Sequence, residues 1–196
     1  MAKKDPPVIS DGKVRCAWCT SEDIYIDYHD HEWGRPVHDD PVLFEFLVLE
    51  SFQAGLSWIT ILKKRENFRK AFVGFDVKKV AKFDEKKVES LMQDEGIIRN
   101  RLKIHAAINN AKQFIAVQRE FGSFDKYIWA FVGGKPIVNR PRTMKDLMPT
   151  SDISKAITKD LSKRGFKFVG GTIMYAWMQA VGLVNDHVAD CWVRVK

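Results

Sequence analysis

The chain has 196 residues, 45% hydrophobic and 12% aromatic, enough to build a core and unlike a disordered segment. Lys and Arg number 32 against 25 Asp and Glu, and the resulting net charge of +7 favours a polyanionic partner such as nucleic acid. Three cysteines are too few for a disulfide scaffold, and no apolar run reaches a membrane span or follows the charged start as a secretory signal would. A cytoplasmic protein with no membrane partner is expected.

Residues 1–13 read as a flexible leader, and 14–196 as a single domain, with two helical lobes allowed by its length. "DPVLFEFLVLESFQAG" opens with an Asp cap and a Pro, then is apolar all round, the pattern of a buried helix. "SWITILKKRENFRKAF" continues with one or two helices. "DVKKVAKF" and "DEKKVESLMQDEG" are short amphipathic helices opened by Asp, the second closed by Gly96. "IRNRLKIHAAINNAKQFIAVQREFG" is a long helix with Ile104, Ile108, Ala111, Ile115 and Phe121 on one stripe. "SFDKYIWAFV" follows a Ser cap, and "GGKPIVNRPRT" is a loop. "SDISKAITKDLSKRG" is a polar helix, and "TIMYAWMQAVG" a buried one ending at Gly182. Strand alternation is scarce, so the fold class is all-α.

Near the C-terminus, "VNDHVADC" places His187 and Cys191 four residues apart, on one face if helical. Cys16 and His29 near the other end would complete a Cys₂His₂ set, whose thiolates and imidazoles suit Zn²⁺. Such a site would tie the N-terminal segment to the C-terminal one. Two other readings stay open on spacing alone. The four are ordinary buried residues, or Cys16 and Cys19 of "CAWC" form a redox pair or half a zinc knuckle. His31, His38 and Asp190 are spare ligands.

"KRGFKFVGGTIMYAWMQAVG" reads as a helix end, a glycine-flanked hairpin and a second helix. In a helix-hairpin-helix, near 155–182 here, the hairpin amides and the next helix N-terminus hold a phosphate. Arg164, Gly165, Lys167 and Gly170 are the candidate DNA contacts, with Lys163 adding charge. The usual hairpin is apolar–Gly–apolar–Gly, and Phe168 replaces its first glycine. A plain core helix–turn–helix is the alternative.

The motifs "RCAW", "YHDHEWG", "AGLSWITILKKRENFR", "GIIRNRLKI", "KRGFKFVG" and "GLVNDHV" together resemble the 3-methyladenine DNA glycosylase I family, over nearly the whole chain from Val14 to Cys191. The resemblance implies a helix-hairpin-helix fold and one structural Zn²⁺ on Cys16, His29, His187 and Cys191. It implies a monofunctional hydrolase that flips 3-methyladenine out of duplex DNA and leaves the strand uncut, working as a monomer. Its base pocket falls on Trp18, Tyr25, Tyr28, Trp33, Glu50 and Trp58, with Gln53 adding a polar contact and Glu50 and Tyr28 acting on the base. Gly55 and Leu56 would wedge into the gap left by the flipped base.

Physical chemistry supports that pocket. A purine alkylated at N3 is a cation, which aromatic faces attract. Glu50 lies between Val48, Leu49 and Phe52, where an unpaired carboxylate is costly unless it serves a purpose. Other base-excision enzymes of the superfamily carry a catalytic Asp in a Val-Asp-x-His segment, and here Asn185 stands at that position. Asn185 cannot act as a base. Either the protein is a zinc-stapled DNA reader without catalysis, or it attacks a bond already weakened by alkylation. A small redox domain built on Cys16 and Cys19 is a third possibility.

Overall fold

The most apolar run of the sequence becomes the central helix. The computed structural model describes residues 11–19 and 22–194, so most of the expected leader, residues 1–10, lies outside the described residues. Helix α2 (Asp40–Gln53) begins where the Asp39 carboxylate accepts the Val42 amide at 3.1 Å, with Pro41 in the first turn. Every residue from Leu43 to Phe52 is buried, Glu45 and Glu50 included.

Four helices enclose α2: α3 (Trp58–Ala71), α6 (Arg101–Phe121), α7 (Phe124–Ala130) and α9 (Gly171–Ala180). Helix α1 (Asp23–His31) leans on α3, α4 (Val77–Val80) and α5 (Glu85–Gln93) lie along α6, and α8 (Asp152–Lys163) packs on α9. Asn100, Ser123 and Ser151 cap α6, α7 and α8, each accepting the amide three residues on. Among the described residues the only strands are a parallel pair, β1 (Ile137–Val138) and β2 (Val184–Asn185), with Ile137 opposite Val184. The protein is mostly helical, as its periodicity implies. No helix among the described residues is long and apolar enough to cross a membrane.

"WITILKKRENFRKA" is one helix, the simpler of the two expected forms. Two local expectations change. Helix α5 stops at Gln93, before Gly96, because the Asp94 carboxylate turns back to accept the Gly96 amide at 2.8 Å. The buried stripe of α6 runs through Ile104, Ile108, Ala111, Phe114 and Val117, while Ile115 is half-buried and Phe121 is exposed. The buried face is wider than that stripe, with Ile115 near its edge, and Phe121 is the last residue of the helix, past the packed part of the face.

Two close approaches fix the ends of the chain. The segment after α1 pairs with the end of α9 through Gly34 to Gln179 and Val37 to Val181 hydrogen bonds. Gly182 permits this: its φ is +70°, and a Cβ there would lie 2.1 Å from the Arg35 carbonyl carbon. The Trp192 amide then donates to the Val14 carbonyl at 3.0 Å, bringing the C-terminal segment against the N-terminal one.

Candidate active site and metal centre

Helices α1, α2, α3 and α9 and the loop before α8 surround a cavity of about 410 Å³. Trp18, Tyr25, Tyr28, Trp33, Glu50, Gln53 and Trp58, seven residues singled out from the sequence, all line it. The rings form a continuous wall: Trp18 lies 5.1 Å from Tyr25 and 4.9 Å from Trp33, and Tyr28 lies 5.3 Å from Trp58. Short motifs build most of this wall. Tyr25 and Tyr28 are one turn apart on α1, and Glu50 and Gln53 one turn apart on α2.

The polar groups of the wall are under-partnered. Glu50 is only 4% exposed and has no hydrogen bond or ion pair among the described residues. Burial alone pushes its carboxyl from 4.5 up to about 8. Burial, with Glu50 as the nearest charge, also raises the Tyr28 phenol well above its usual range, and burial lifts Tyr25 to about 12. The indole Nε1 atoms of Trp18 and Trp58 are buried with no acceptor. Buried polar groups are nearly always satisfied within a protein, so several unsatisfied ones around one cavity mark it as a place for a ligand.

The opposite wall comes from residues the sequence reading did not single out. Thr172, Tyr175, Ala176 and Gln179 face the cavity from α9, and Met144, Leu147, Met148 and Pro149 from the loop. The α9 set has i, i+3, i+4, i+7 spacing, and its polar members interrupt an otherwise apolar helix. That pattern was the available signal. Behind this wall Asp186 is fully buried and accepts hydrogen bonds from Asn139, Tyr175 and Gln179 at 2.7–2.8 Å. Asn185, its neighbour, accepts the His187 amide at 3.2 Å and is absent from the cavity lining.

At the cavity's edge the chain turns sharply after α2. Gly55 has φ +83°, and Leu56 is 39% exposed at the tip. The Gln53 amide nitrogen donates to the Leu56 carbonyl at 2.7 Å, leaving its carbonyl oxygen and second N–H for a ligand.

Between α8 and α9 the backbone makes a tight connection over residues 164–170. Phe168, standing where glycine is usual, has φ +54°, the left-handed conformation that explains the preference for glycine there. Gly165 has φ +90° and ends the turn after α8, and Gly170 is the N-cap of α9 with open space around it. Lys167 is exposed. Arg164 is held by acidic neighbours. Its guanidinium pairs with Glu120 at 2.7 Å and Asp160 at 2.6 Å and covers Phe121 and Tyr127, so it is not a free cation for phosphate.

Cys16, His29, His187 and Cys191 meet in one buried cluster, their ligand atoms all within 4.8 Å of one another. His187 Nδ1 lies 3.3 Å from Cys191 Sγ and 3.7 Å from Cys16 Sγ, and His29 Nε2 lies 3.6 Å from Cys191 Sγ. Ligand atoms ~2.0–2.3 Å from a tetrahedral ion are separated by roughly 3.3–3.8 Å, so the set fits a metal. The second nitrogen of each ring is already engaged. His29 Nδ1 meets Asp30 at 2.8 Å, and His187 Nε2 meets the Trp33 carbonyl at 3.1 Å, which directs the other nitrogens at the sulfurs.

Asp30 anchors that outer layer. Burial opposes its ionisation, but hydrogen bonds from Arg15, His29 and Trp192 outweigh it and hold the carboxyl at about 2. The two thiols compete for one negative charge: bonding from Cys16 and both imidazoles lowers Cys191, while Cys191 and burial raise Cys16. A dication would relieve that competition.

Cys19 is buried but donates to the Tyr25 carbonyl, outside the cluster, and all three cysteines are free thiols. His31 pairs with Asp27, His38 pairs with Asp125, and Asp190 is exposed, so none of the spare ligands joins. Trp33 touches both sites, its ring 4.6 Å from His187 and its other side on the cavity.

Residues 18–195 match the methyladenine glycosylase family. The chain is 49% identical to the DNA-3-methyladenine glycosylase of Haemophilus influenzae over 178 residues, 91% of this chain and 96% of that one. It is 50% identical to DNA-3-methyladenine glycosylase 1 of Escherichia coli over 177 residues, 90% and 95% of the two chains. Among solved structures, that of 3-methyladenine DNA glycosylase I from Staphylococcus aureus, determined for its recognition of 3-methyladenine, superposes with a TM-score of 0.90. It is 38% identical, with 93% of this chain and 97% of that one covered. The family match and these relatives make the chain a glycosylase, a hydrolase of N-glycosyl bonds. The chain belongs to the methyladenine glycosylase family. The resemblance drawn from its motifs is borne out.

Proposed function

We propose that the chain removes 3-methyladenine from alkylated duplex DNA in base-excision repair, hydrolysing the N-glycosidic bond and leaving the strand intact. The observation that carries this reading is Glu50, a buried carboxyl without a protein partner, set among aromatic rings in a chain about half identical to DNA-3-methyladenine glycosylases. A base alkylated at N3 is a flat cation. The rings offer it their negative faces, and Glu50 offers a charge that its arrival would stabilise. Adenine without the methyl group brings no charge to offset the burial of Glu50, which is a source of discrimination.

The mechanism needs little acid–base machinery. Flipping the base costs a few kcal/mol, least for a damaged one. Alkylation makes the departing base neutral, so the bond breaks without a strong general acid. Glu50 and the DNA phosphates favour the cationic base and the positive charge that develops on the sugar. Tyr28, beside Glu50, orients the base. Asn185 has no carboxylate, and Asp186 is committed to three donors, so no superfamily-type Asp is available there. No lysine lines the cavity, which favours simple hydrolysis over strand cleavage.

Leu56, lifted on Gly55, is the wedge for the vacated stack. The 166–170 turn is the hairpin of a helix-hairpin-helix, gripping phosphate with backbone amides, the N-terminus of α9 and Lys167, with Gly165 and Gly170 shaping the turn. Cys16, His29, His187 and Cys191 hold one Zn²⁺, which when bound supplies a structural cross-link between the chain ends. Residues 14–196 act as one domain and as a monomer, in a cytoplasm that keeps the three thiols reduced.

The test is incubation with duplex DNA methylated at adenine N3, followed by separation of free base and strand. Released 3-methyladenine with an uncut strand is expected. Binding without release would make the protein a lesion reader, and indifference to DNA would remove both readings.

A further inference from the structure

Helix α6 carries a buried cation that the chemistry does not use. Lys103 is 6% exposed, with no carboxylate partner among the described residues. Its ammonium donates to the carbonyls of Phe52 at 2.8 Å and Ala54 at 2.6 Å, at the C-terminal end of α2. Burial lowers its pKa. A buried charge without a counter-ion is expensive, and an apolar side chain here would leave the last carbonyls of α2 unsatisfied.

The segment it holds is the Gly55–Leu56 turn. Nothing lies within 4 Å of the Cβ position of Gly55, and Leu56 is 39% exposed. The turn closes on itself through the Leu56 amide on the Gln53 carbonyl and the Gln53 side-chain amide on the Leu56 carbonyl, both at 2.7 Å, and Lys103 ties it to α6 through the carbonyls before it.

Seven residues along the same helix, roughly 10 Å, Asn110 grips the hairpin. It is 1% exposed, donates to the Lys167 carbonyl and accepts the Lys167 amide, both at 2.8 Å. Asn109 beside it donates to the Gly165 carbonyl at 2.8 Å. Both DNA-facing segments therefore hang from one rigid element.

We propose that α6 is a jig that sets the spacing between the Leu56 wedge and the phosphate-gripping hairpin, with Lys103 the positioning residue for the wedge and Asn110 for the hairpin. The proposal rests on the wedge and hairpin roles given above. Lys103 does not touch the base. Its loss misplaces the wedge relative to a duplex that the hairpin still holds.

The experiment compares Lys103→Met, Leu56→Ala and the double variant. Single-turnover excision from methylated duplex, affinity for free 3-methyladenine and affinity for undamaged duplex are measured for each. Lys103→Met and Leu56→Ala should each slow excision by roughly 10- to 100-fold, and the double variant should be no slower than the worse single one. Both affinities should stay within about twofold of wild type, because pocket and hairpin are intact. If Lys103→Met does not fold, Lys103→Gln, which keeps one donor position, takes its place with the same expectations.

Slowing effects that multiply in the double variant, or free-base affinity that falls in step with excision, would show Lys103 to be a general structural residue and overturn the proposal. Slow Leu56→Ala with full-rate Lys103→Met overturns the Lys103 role alone. Full-rate Leu56→Ala removes the wedge reading itself, and the jig with it.

Discussion

Glu45 and Glu50 lie five residues apart on the same buried helix, and the protein treats them in opposite ways. Glu45 is 7% exposed and accepts from Arg65 Nε at 2.5 Å and from Arg69 at 2.8 Å, with Glu32 accepting from Arg65 Nη1 at 2.7 Å. Glu50 is 4% exposed and accepts from nothing among the described residues. The Cys/His cluster follows the rule of Glu45: Asp30 takes donors from Arg15, His29 and Trp192, and each of its two imidazole rings has its second nitrogen engaged. The cavity follows the rule of Glu50. Satisfied buried charge belongs to the scaffold, and unsatisfied buried charge is where a ligand is awaited. The two regions meet at Trp33, so the second is built against the first.

That contrast is most easily broken at the scaffold. Cys191→Ser removes a ligand from the staple and should cost on the order of 3 kcal/mol or more, roughly 10 °C in Tm. Thermal unfolding with and without chelator would measure it. The affinity of the folded variant for free 3-methyladenine should change much less, and selective loss of base binding at unchanged stability would contradict the assignment. Glu45→Gln removes the charge shared by Arg65 and Arg69, leaving them only Glu32 and Glu66, and should cost about 1–3 kcal/mol in denaturant unfolding.

Glu50→Gln should do the reverse, and its sign depends on pH. The Glu50 carboxyl is raised from 4.5 to about 8 in the folded chain, so its contribution to stability is whole below 4.5 and is lost as pH rises toward 8. Across that window the unfolded chain has released a proton that the folded chain keeps. Unfolding of wild type and Glu50→Gln should diverge by a few kcal/mol between those limits, with the variant more stable at the upper one. A methylated base still bonded to its sugar is a cation and should pull the proton off, seen calorimetrically as proton release when methylated duplex binds at pH 7, before excision, in buffers of different ionisation heat.

Tyr28→Phe keeps the ring and removes one hydroxyl, so excision should slow by only about tenfold or less, with stacking preserved. A larger fall would move Tyr28 from orienting the base to a central part in the chemistry.

Much of this was legible in the sequence because much of it is local. The Asp39–Pro41 start and the apolar run behind it announce α2, and a charged residue inside that run makes Glu50 conspicuous. The aromatic wall lies in two contiguous motifs. Distant partners were not legible. Arg164 looked like a free cation until Glu120, on another helix, closed on it. Nothing in "VND" tells that Asp186 is held by Tyr175 and Gln179. The α9 face of the cavity required knowing which side of a buried helix looks inward, and the Met144–Pro149 wall comes from a loop with no periodicity to read.

The measurement that bears most directly on the unsatisfied carboxyl is single-turnover release of 3-methyladenine from methylated duplex by wild type, Glu50→Gln and Asn185→Ala, each first shown to be folded. Glu50→Gln should be slower by about 10- to 1,000-fold, the worth of one transition-state interaction. Asn185→Ala, which loses a hydrogen bond to the His187 amide, should release base at close to the wild-type rate. Wild-type release by Glu50→Gln together with a dead Asn185→Ala would place the chemistry at the superfamily position and not in the aromatic cavity.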